Sequence, residues 1–240
     1  MELLLDFGNT RVKAAVTDGG ILRQVFSGES TVDALSAAVS GMDIRGGMWC
    51  SVHELDQSVT EWMKGIGLKQ LTASVPVPLK ISYRSVETLG MDRLAAAVGA
   101  WSMKPGNNML VIDAGTAVTC DFISAEGVYE GGNIAPGIGL RFRSLHEHTG
   151  RLPLVRTDGD VPMFGYDTET AIRSGVVNGI RYEIEGYIHN LESLYPSVLI
   201  FLTGGDAECF DIKAKSLTFA VPDLVLRGLA RIVEYNEKGF

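Results

Sequence analysis

The pattern that most constrains this chain is one that occurs twice. Leu3-Leu4-Leu5 runs into Asp6-Phe7-Gly8-Asn9-Thr10 and then Val12 to Val16; Met109-Leu110-Val111-Ile112 runs into Asp113-Ala114-Gly115-Thr116 and then apolar residues through Ile123. Each is an apolar run, a carboxylate, a glycine turn and a second apolar run, which predicts a β-hairpin. Asp113 lies 107 residues after Asp6, close to half of the 240-residue chain, and Leu3/Leu110 and Gly8/Gly115 match under the same offset. A carboxylate and a glycine on the same turn of the same hairpin predict an internal duplication. The halves are residues 1–106 and 107–240, with no low-complexity linker between them.

Composition removes several classes. A formal net charge of -8, from 21 Lys+Arg against 29 Asp+Glu, disfavours binding to nucleic acid or to an anionic membrane. With 46% hydrophobic and 21% charged residues the chain is an ordinary globular one, not a disordered one. Cys50, Cys120 and Cys209 are odd in number and far apart. They form neither a disulfide framework nor a zinc knuckle, and reduced cysteines fit a cytosolic protein. The opening MELLLDFGNT lacks a basic n-region, and no stretch approaches the roughly 20 apolar residues of a membrane span. The expectation is a cytoplasmic protein with no membrane and no nucleic-acid partner.

Between the hairpins the pattern alternates in an α/β manner. Ile21 to Phe26 predicts a third strand, and Thr31 to Val39 a helix with Thr31 as N-cap. Met48 to Val52 predicts a buried strand, Glu54 to Met63 a helix, and Leu68 to Ala73 a strand. Val75-Pro76-Val77-Pro78 is an extended loop. Gly90-Met91-Asp92-Arg93 leads into the helical LAAAVGAW. In the second half a glycine-rich segment, 131–139, precedes a helix through Leu145. Residues 151–167 are loop, 168–194 a long helix, Val198 to Leu202 a strand ending in Thr203-Gly204-Gly205, and 223–235 the last helix behind Pro222.

Three motifs bear chemistry. In Asp6-Phe7-Gly8-Asn9-Thr10, glycine admits a ligand close to the backbone, Asn9 and Thr10 offer donors to phosphate oxygens, and Asp6 could hold Mg²⁺ through water. Lys13, in alternation from Arg11, places a cation over a transferring phosphoryl group. The plainer alternative is a hairpin whose turn contains an Asp. Gly115-Thr116 repeats the arrangement, and Gly204-Gly205 could approach a nucleoside where a side chain would clash; each glycine pair alone also reads as a turn. Gly90-Met91-Asp92-Arg93 sits at a helix mouth, where backbone N–H groups favour anions. Asp92 could take a proton from a substrate hydroxyl and Arg93 could fork onto a carboxylate, or Asp92 could simply cap the helix. His146 and His148 are two apart, diverge on a helix and make a weak metal pair. Arg141 and Arg143 could form a basic patch near a ligand cleft, but the simpler reading is a solvated face.

Two phosphate-cradling hairpins and a late strand ending in Gly-Gly resemble the sugar kinase, Hsp70 and actin superfamily. That resemblance implies an α/β fold of two duplicated actin-like, ribonuclease H-like lobes with a nucleotide cleft between them. More closely, the chain resembles the type III pantothenate kinases. The stretches that carry this are Asp6 to Thr10 with Lys13, Gly90 to Arg93, Asp113 to Thr119, Gly131 to Gly137, Thr168 with 171–175, and Leu202 to Gly205, in family order over nearly the whole chain. The resemblance implies ATP-dependent phosphorylation of pantothenate to 4'-phosphopantothenate, the first step of coenzyme A biosynthesis. It implies an ATP loop of Asp6, Phe7, Gly8, Asn9, Thr10, Arg11, Val12 and Lys13, with Asp6 on Mg²⁺, and further ATP contacts at Thr116, Gly204 and Gly205. It implies Asp92 as proton acceptor, and pantothenate contacts at Tyr83, Gly90, Met91, Asp92, Arg93 and Thr168. Asp113 matches the family's ligand for a monovalent cation, K⁺ or NH₄⁺. Thr168 is preferred to Thr170 because it keeps the family's spacing to Ala171. The family is cytoplasmic and a homodimer. Phe7 departs from the usual β-branched residue without altering a chemical group.

Other readings belong to other classes: a different small-molecule kinase or a phosphohydrolase of the same superfold, an actin-like filament protein, or a regulatory nucleotide-binding protein. The short chain argues against the filament, and the absence of a basic stretch against a DNA-binding regulator.

Overall fold

A computed structural model describes residues 1–238 of the chain. In chain order the elements begin β1 (Glu2–Phe7), β2 (Val12–Asp18), β3 (Ile21–Gly28), α1 (Val32–Ala38), β4 (Gly47–Ser51), α2 (Gln57–Gly65), β5 (Leu68–Gln70), β6 (Lys80–Ile81) and α3 (Met91–Met103). They continue β7 (Met109–Ala114), β8 (Ala117–Ile123), β9 (Val128–Pro136), α4 (Ile138–Glu147), α5 (Thr168–Leu194), β10 (Leu199–Thr203), β11 (Thr218–Ala220) and α6 (Leu224–Glu237).

The chain divides into two compact units. The first holds residues 1–106, 124–130 and 223–238; the second holds 107–123 and 131–222. The C-terminal helix α6 therefore counts with the first unit, not with the residues that precede it in sequence.

In the first unit the sheet order is β3-β2-β1-β4-β5. β1 and β2 pair antiparallel through a tight turn, whereas β1 and β4 run parallel, so α1 lies on the crossover between them. Thr31 caps α1 by accepting a hydrogen bond from the Ala34 N–H at 3.3 Å. The period-2 alternation of β1 sends Leu3, Leu5 and Phe7 to one face, where they pack with Val12, Ala14 and Val16 of β2 and with Leu35, Val59 and Met63 of α1 and α2. The other face is covered by α3 and α6. Residues 93–100 of α3 are all buried, as befits a helix enclosed on every side. The two helices cross closely: a Cβ at Gly99 or Gly228 would overlap the backbone of the opposite helix, at Leu224 and Ala95 respectively. β6 pairs parallel with Val128 and Tyr129 in this unit.

In the second unit the order is β9-β8-β7-β10-β11. Matched strand for strand (β1 with β7, β2 with β8, β3 with β9, β4 with β10, β5 with β11), this is the order of the first unit, including the antiparallel first pair and the parallel third. The duplication expected from the 107-residue offset is thus a duplication of topology. Leu110, Ile112 and Ala114 of β7, Val118 and Cys120 of β8 and Ile200 of β10 form a core with Ile172, Val176, Ile180, Ile184 and Ile188 of α5, an i, i+4 stripe along one helix face. Helix α5 spans 27 residues, as the sequence predicts, and opens on a capping box. The Thr170 N–H donates to Asp167 Oδ1 at 2.8 Å, and the Asp167 N–H donates to Thr170 Oγ1 at 3.1 Å.

Three expectations shift. The glycine-rich segment 131–139 supplies most of β9. The strand expected over 68–73 is β5, three residues long, and the helix expected from Glu54 starts at Gln57.

Candidate active site

Because Leu3, Leu5 and Phe7 point into the core, Asp6 must point to the opposite face of β1. Across the sheet its register partners are Lys13 on β2 and Cys50 on β4. Directly paired residues share a face, so Lys13, Asp6 and Cys50 form one row. The Cys50 Sγ lies 3.7 Å from Asp6 Oδ1 as a weak donor. Burial pushes the Asp6 carboxyl up to about 6; Lys13 eases the shift, the Asp92 carboxylate adds to it, and the Cys50 contact lowers it. Burial also drives the Cys50 thiol upward, which keeps its proton in place. Cys50 was expected only as a reduced cysteine; its place beside Asp6 depends on the β1–β4 register, set across 44 residues of chain.

The turn beyond Asp6 is closed by the Gly8 N–H donating to the Arg11 carbonyl at 3.1 Å, which leaves Asn9, Thr10 and Arg11 exposed at the tip. Phe7 is buried edge-on against Trp49, and Val12 is core. The local chain thus alternates anchored residues with ones offered to a ligand.

Gly90 is the N-cap of α3 with Met91 and Asp92 in the first turn, so Asp92 is not the cap. A Cβ on Gly90 would meet Asp92 Oδ1, and the missing side chain leaves room for that carboxylate. Arg93 is only 7% exposed and is not a solvated first-turn charge. Asp6, Lys13 and Asp92 are therefore brought within electrostatic reach of one another. Tyr83 is half-buried after β6 and packs edge-on against Tyr129, ring centroids 6.1 Å apart.

The second unit repeats the row with different chemistry. Asp113 on β7 pairs with Thr119 on β8 and Thr203 on β10. This face lies opposite the α5 core, since Ile112 and Ala114 point the other way. The Thr119 Oγ1 is buried without a hydrogen-bond partner. Thr116 is exposed at the hairpin tip, and its carbonyl accepts from the Gly137 N–H at 3.0 Å. On the other side the Asp206 N–H donates to the Ala114 carbonyl at 2.8 Å. Gly204 has φ +101°, and a Cβ there would overlap the Ala114 backbone; at Gly205 a Cβ meets nothing within 4 Å. Gly204 is therefore required by the protein's own strand, whereas the space beside Gly205 is open.

A cavity of about 650 Å³ lies within the second unit. Thr168, Ala171, Ile172, Gly175 and Val176 line it as one face of α5, opposite Pro136, Arg141 and Leu152. Thr168 is exposed here, whereas the Thr170 hydroxyl is buried and committed to the capping box. Arg141, expected on a solvated face, forks onto Glu183 at 2.8 and 2.6 Å and donates to the Pro136 carbonyl. Nothing local in sequence announces that pair. His146 Nδ1 lies 2.8 Å from the Leu152 carbonyl, a structural role.

Among the described residues no three His, Cys, Asp or Glu side chains gather as a metal cluster. No described helix is long and apolar enough to cross a membrane. A single carboxylate per row suits a cation held mostly by water, phosphate and neutral oxygens.

The structure resembles a Thermus thermophilus ROK hexokinase (TM-score 0.54, 14% identity, 98% of this chain and 99% of that one). It also resembles a Campylobacter jejuni chain named as a Baf family transcriptional activator (TM-score 0.62, 24% identity, 98% and 99% coverage). At these identities both comparisons speak for the fold alone: two actin-like sheets of the kind found in sugar kinases. The family profile described as type III pantothenate kinase matches residues 2–190. A type III pantothenate kinase of Phocaeicola vulgatus is 46% identical over 99% of this chain and 100% of its own length. With the doubled Asp-x-Gly hairpin and the Gly-x-Asp-Arg helix mouth in place, this chain belongs to the type III pantothenate kinase family.

Proposed function

We propose that this chain performs the reaction its family is named for: it transfers the γ-phosphoryl group of ATP to the primary hydroxyl of pantothenate, forming 4'-phosphopantothenate at the first step of coenzyme A synthesis. The observation that carries the residue assignment is the first unit's row of Lys13, Asp6 and Cys50 with Asp92 close enough to raise the Asp6 carboxyl. A carboxylate to face a metal, an ammonium to face phosphate and a second carboxylate to take a proton are parts that recur in enzymes of phosphoryl transfer.

In this reading ATP arrives with Mg²⁺ as its substrate complex. The turn from Asp6 through Phe7, Gly8, Asn9, Thr10, Arg11 and Val12 to Lys13 takes the phosphates, with Asp6 facing the Mg²⁺ and Lys13 supplying positive charge to the equatorial oxygens. The raised Asp6 carboxyl supports this, because burial makes its ionised form costly in the nucleotide-free protein and an arriving cation would offset that cost. Thr116, Gly204 and Gly205 are further ATP contacts. Asp92 accepts the proton of the attacking hydroxyl. Tyr83, Gly90, Met91, Arg93 and Thr168 hold pantothenate, and Thr168 is supported by its position on the cavity wall. Asp113 takes a monovalent cation, K⁺ or NH₄⁺. The protein acts as a cytoplasmic homodimer.

A coupled assay for ADP, run with pantothenate beside a panel of sugars and acetate, tests this. Turnover confined to pantothenate is expected. Turnover with a sugar and none with pantothenate would assign the chain to another kinase of the same fold.

A further inference from the structure

We propose that the Thr119 hydroxyl is a ligand, together with the Asp113 carboxylate, of the monovalent cation taken up by the second unit. This deepens the assignment of Asp113 and rests on it.

The starting observation is an orphan. Thr119 is 9% exposed, its Oγ1 is buried, and it has no hydrogen-bond partner. Buried hydroxyls are nearly always satisfied, so an exception asks for a partner that arrives from outside the chain. The register says where that partner sits. Thr119 on β8 is directly across from Asp113 on β7, on the same face of the sheet. Directly opposite residues hold their Cβ atoms about 4.5–5.5 Å apart, which lets two side-chain oxygens converge on one ion between them.

The duplication sharpens the point. In the first unit the residue across from the hairpin carboxylate is Lys13, an ammonium. At the equivalent place the second unit carries a hydroxyl. The first fold copy builds a positive charge into that position covalently; the second offers an oxygen ligand for one that comes from solution. Thr203, buried and on the same face, closes the row on the other side of Asp113. One carboxylate flanked by two hydroxyls carries a single negative charge on hard oxygen donors. That set suits a monovalent cation, whereas a protein-held Ca²⁺ draws six to eight oxygens, usually with several carboxylates.

The test uses the whole protein without nucleotide, followed by thermal unfolding in KCl and in choline chloride at equal ionic strength, together with the K⁺ concentration for half-maximal activity. Three variants are compared: Thr119→Val, which keeps the shape and removes the hydroxyl; Thr119→Ser, which keeps the hydroxyl; and Asp113→Asn. K⁺ is expected to raise the melting temperature of the parent and of Thr119→Ser. Thr119→Val should lose most of that rise and need roughly tenfold more K⁺ for half-activation. In choline Thr119→Val should melt at or above the parent, because the orphan hydroxyl is gone, which also shows that it folds. If Thr119→Val keeps the parental K⁺ response while Asp113→Asn loses it, Thr119 is no ligand and the Asp113 assignment stands. If both variants keep the response, or the parent shows none, the Asp113 assignment fails with it.

Discussion

Replacing Asp6 by Asn should stabilise the nucleotide-free protein at neutral pH while abolishing its function. The carboxyl of Asp6 is lifted from its ordinary 3.8 to about 6, chiefly by burial. Below about pH 4 both folded and unfolded chains carry the proton and the group contributes nothing. Between about 4 and 6 the unfolded chain ionises while the folded one keeps its proton, so stability falls as pH rises. Above 6 both are ionised and the whole cost is present, about 3 kcal/mol at 1.36 kcal/mol per pH unit. An amide has the same shape and never ionises. Asp6→Asn should therefore exceed the parent by up to about 3 kcal/mol at pH 8 and match it near pH 4. Urea unfolding at the two pH values, with a chelator and no nucleotide, reads this directly. Trp49, Trp62 and Trp101 all belong to the first unit, so their emission reports the unit that contains Asp6. Saturating MgATP should reverse the order, because only the parent retains the ligand's contribution. A variant less stable than its parent at pH 8 would refute the claim that this carboxylate is strained until a cation meets it.

Further outcomes follow from the same geometry. Asp92→Asn should lower kcat by about 10²–10⁴ while leaving ATP binding by calorimetry largely intact; near-parental kcat would remove Asp92 as proton acceptor. Gly204→Ala, which forces a side chain onto φ +101° against Ala114, should destabilise the second unit by at least about 1–3 kcal/mol, whereas Gly205→Ala should stay within about 1 kcal/mol of the parent by calorimetry. Thr168→Val should raise the KM for pantothenate with little change in melting temperature. Thr170→Val should do the reverse, losing about 1 kcal/mol with the capping box and leaving KM unchanged.

What the sequence disclosed, and what it hid, follows from the range of the interactions involved. Both hairpins were legible because alternation, a carboxylate and a glycine turn lie within a dozen residues. Helix α5 was legible in extent, since its apolar periodicity is local, but its Asp167 cap was not named. Strand β9 was not: Gly131, Gly132 and Pro136 argue against a strand, and Gly132 is there because a Cβ would overlap the Cys120 carbonyl on β8. β6 and β11, two and three residues long, carry no periodicity to read. In the site, Asp6, Lys13 and Asp92 were named from motifs, but Cys50 and the Arg141–Glu183 fork were not. Their partners lie 44 and 42 residues away and are fixed only by register and helix packing. The same limit hid the Thr119–Asp113–Thr203 row, half of which depends on the parallel pairing of β10 with β7.

The most direct test of the central claim is mass spectrometry of pantothenate incubated with this protein, ATP, Mg²⁺ and K⁺. The account predicts a pantothenate species carrying one added phosphoryl group, formed by the parent and formed at least about a hundredfold more slowly by Asp92→Asn. ATP converted to ADP with pantothenate left unmodified would contradict it.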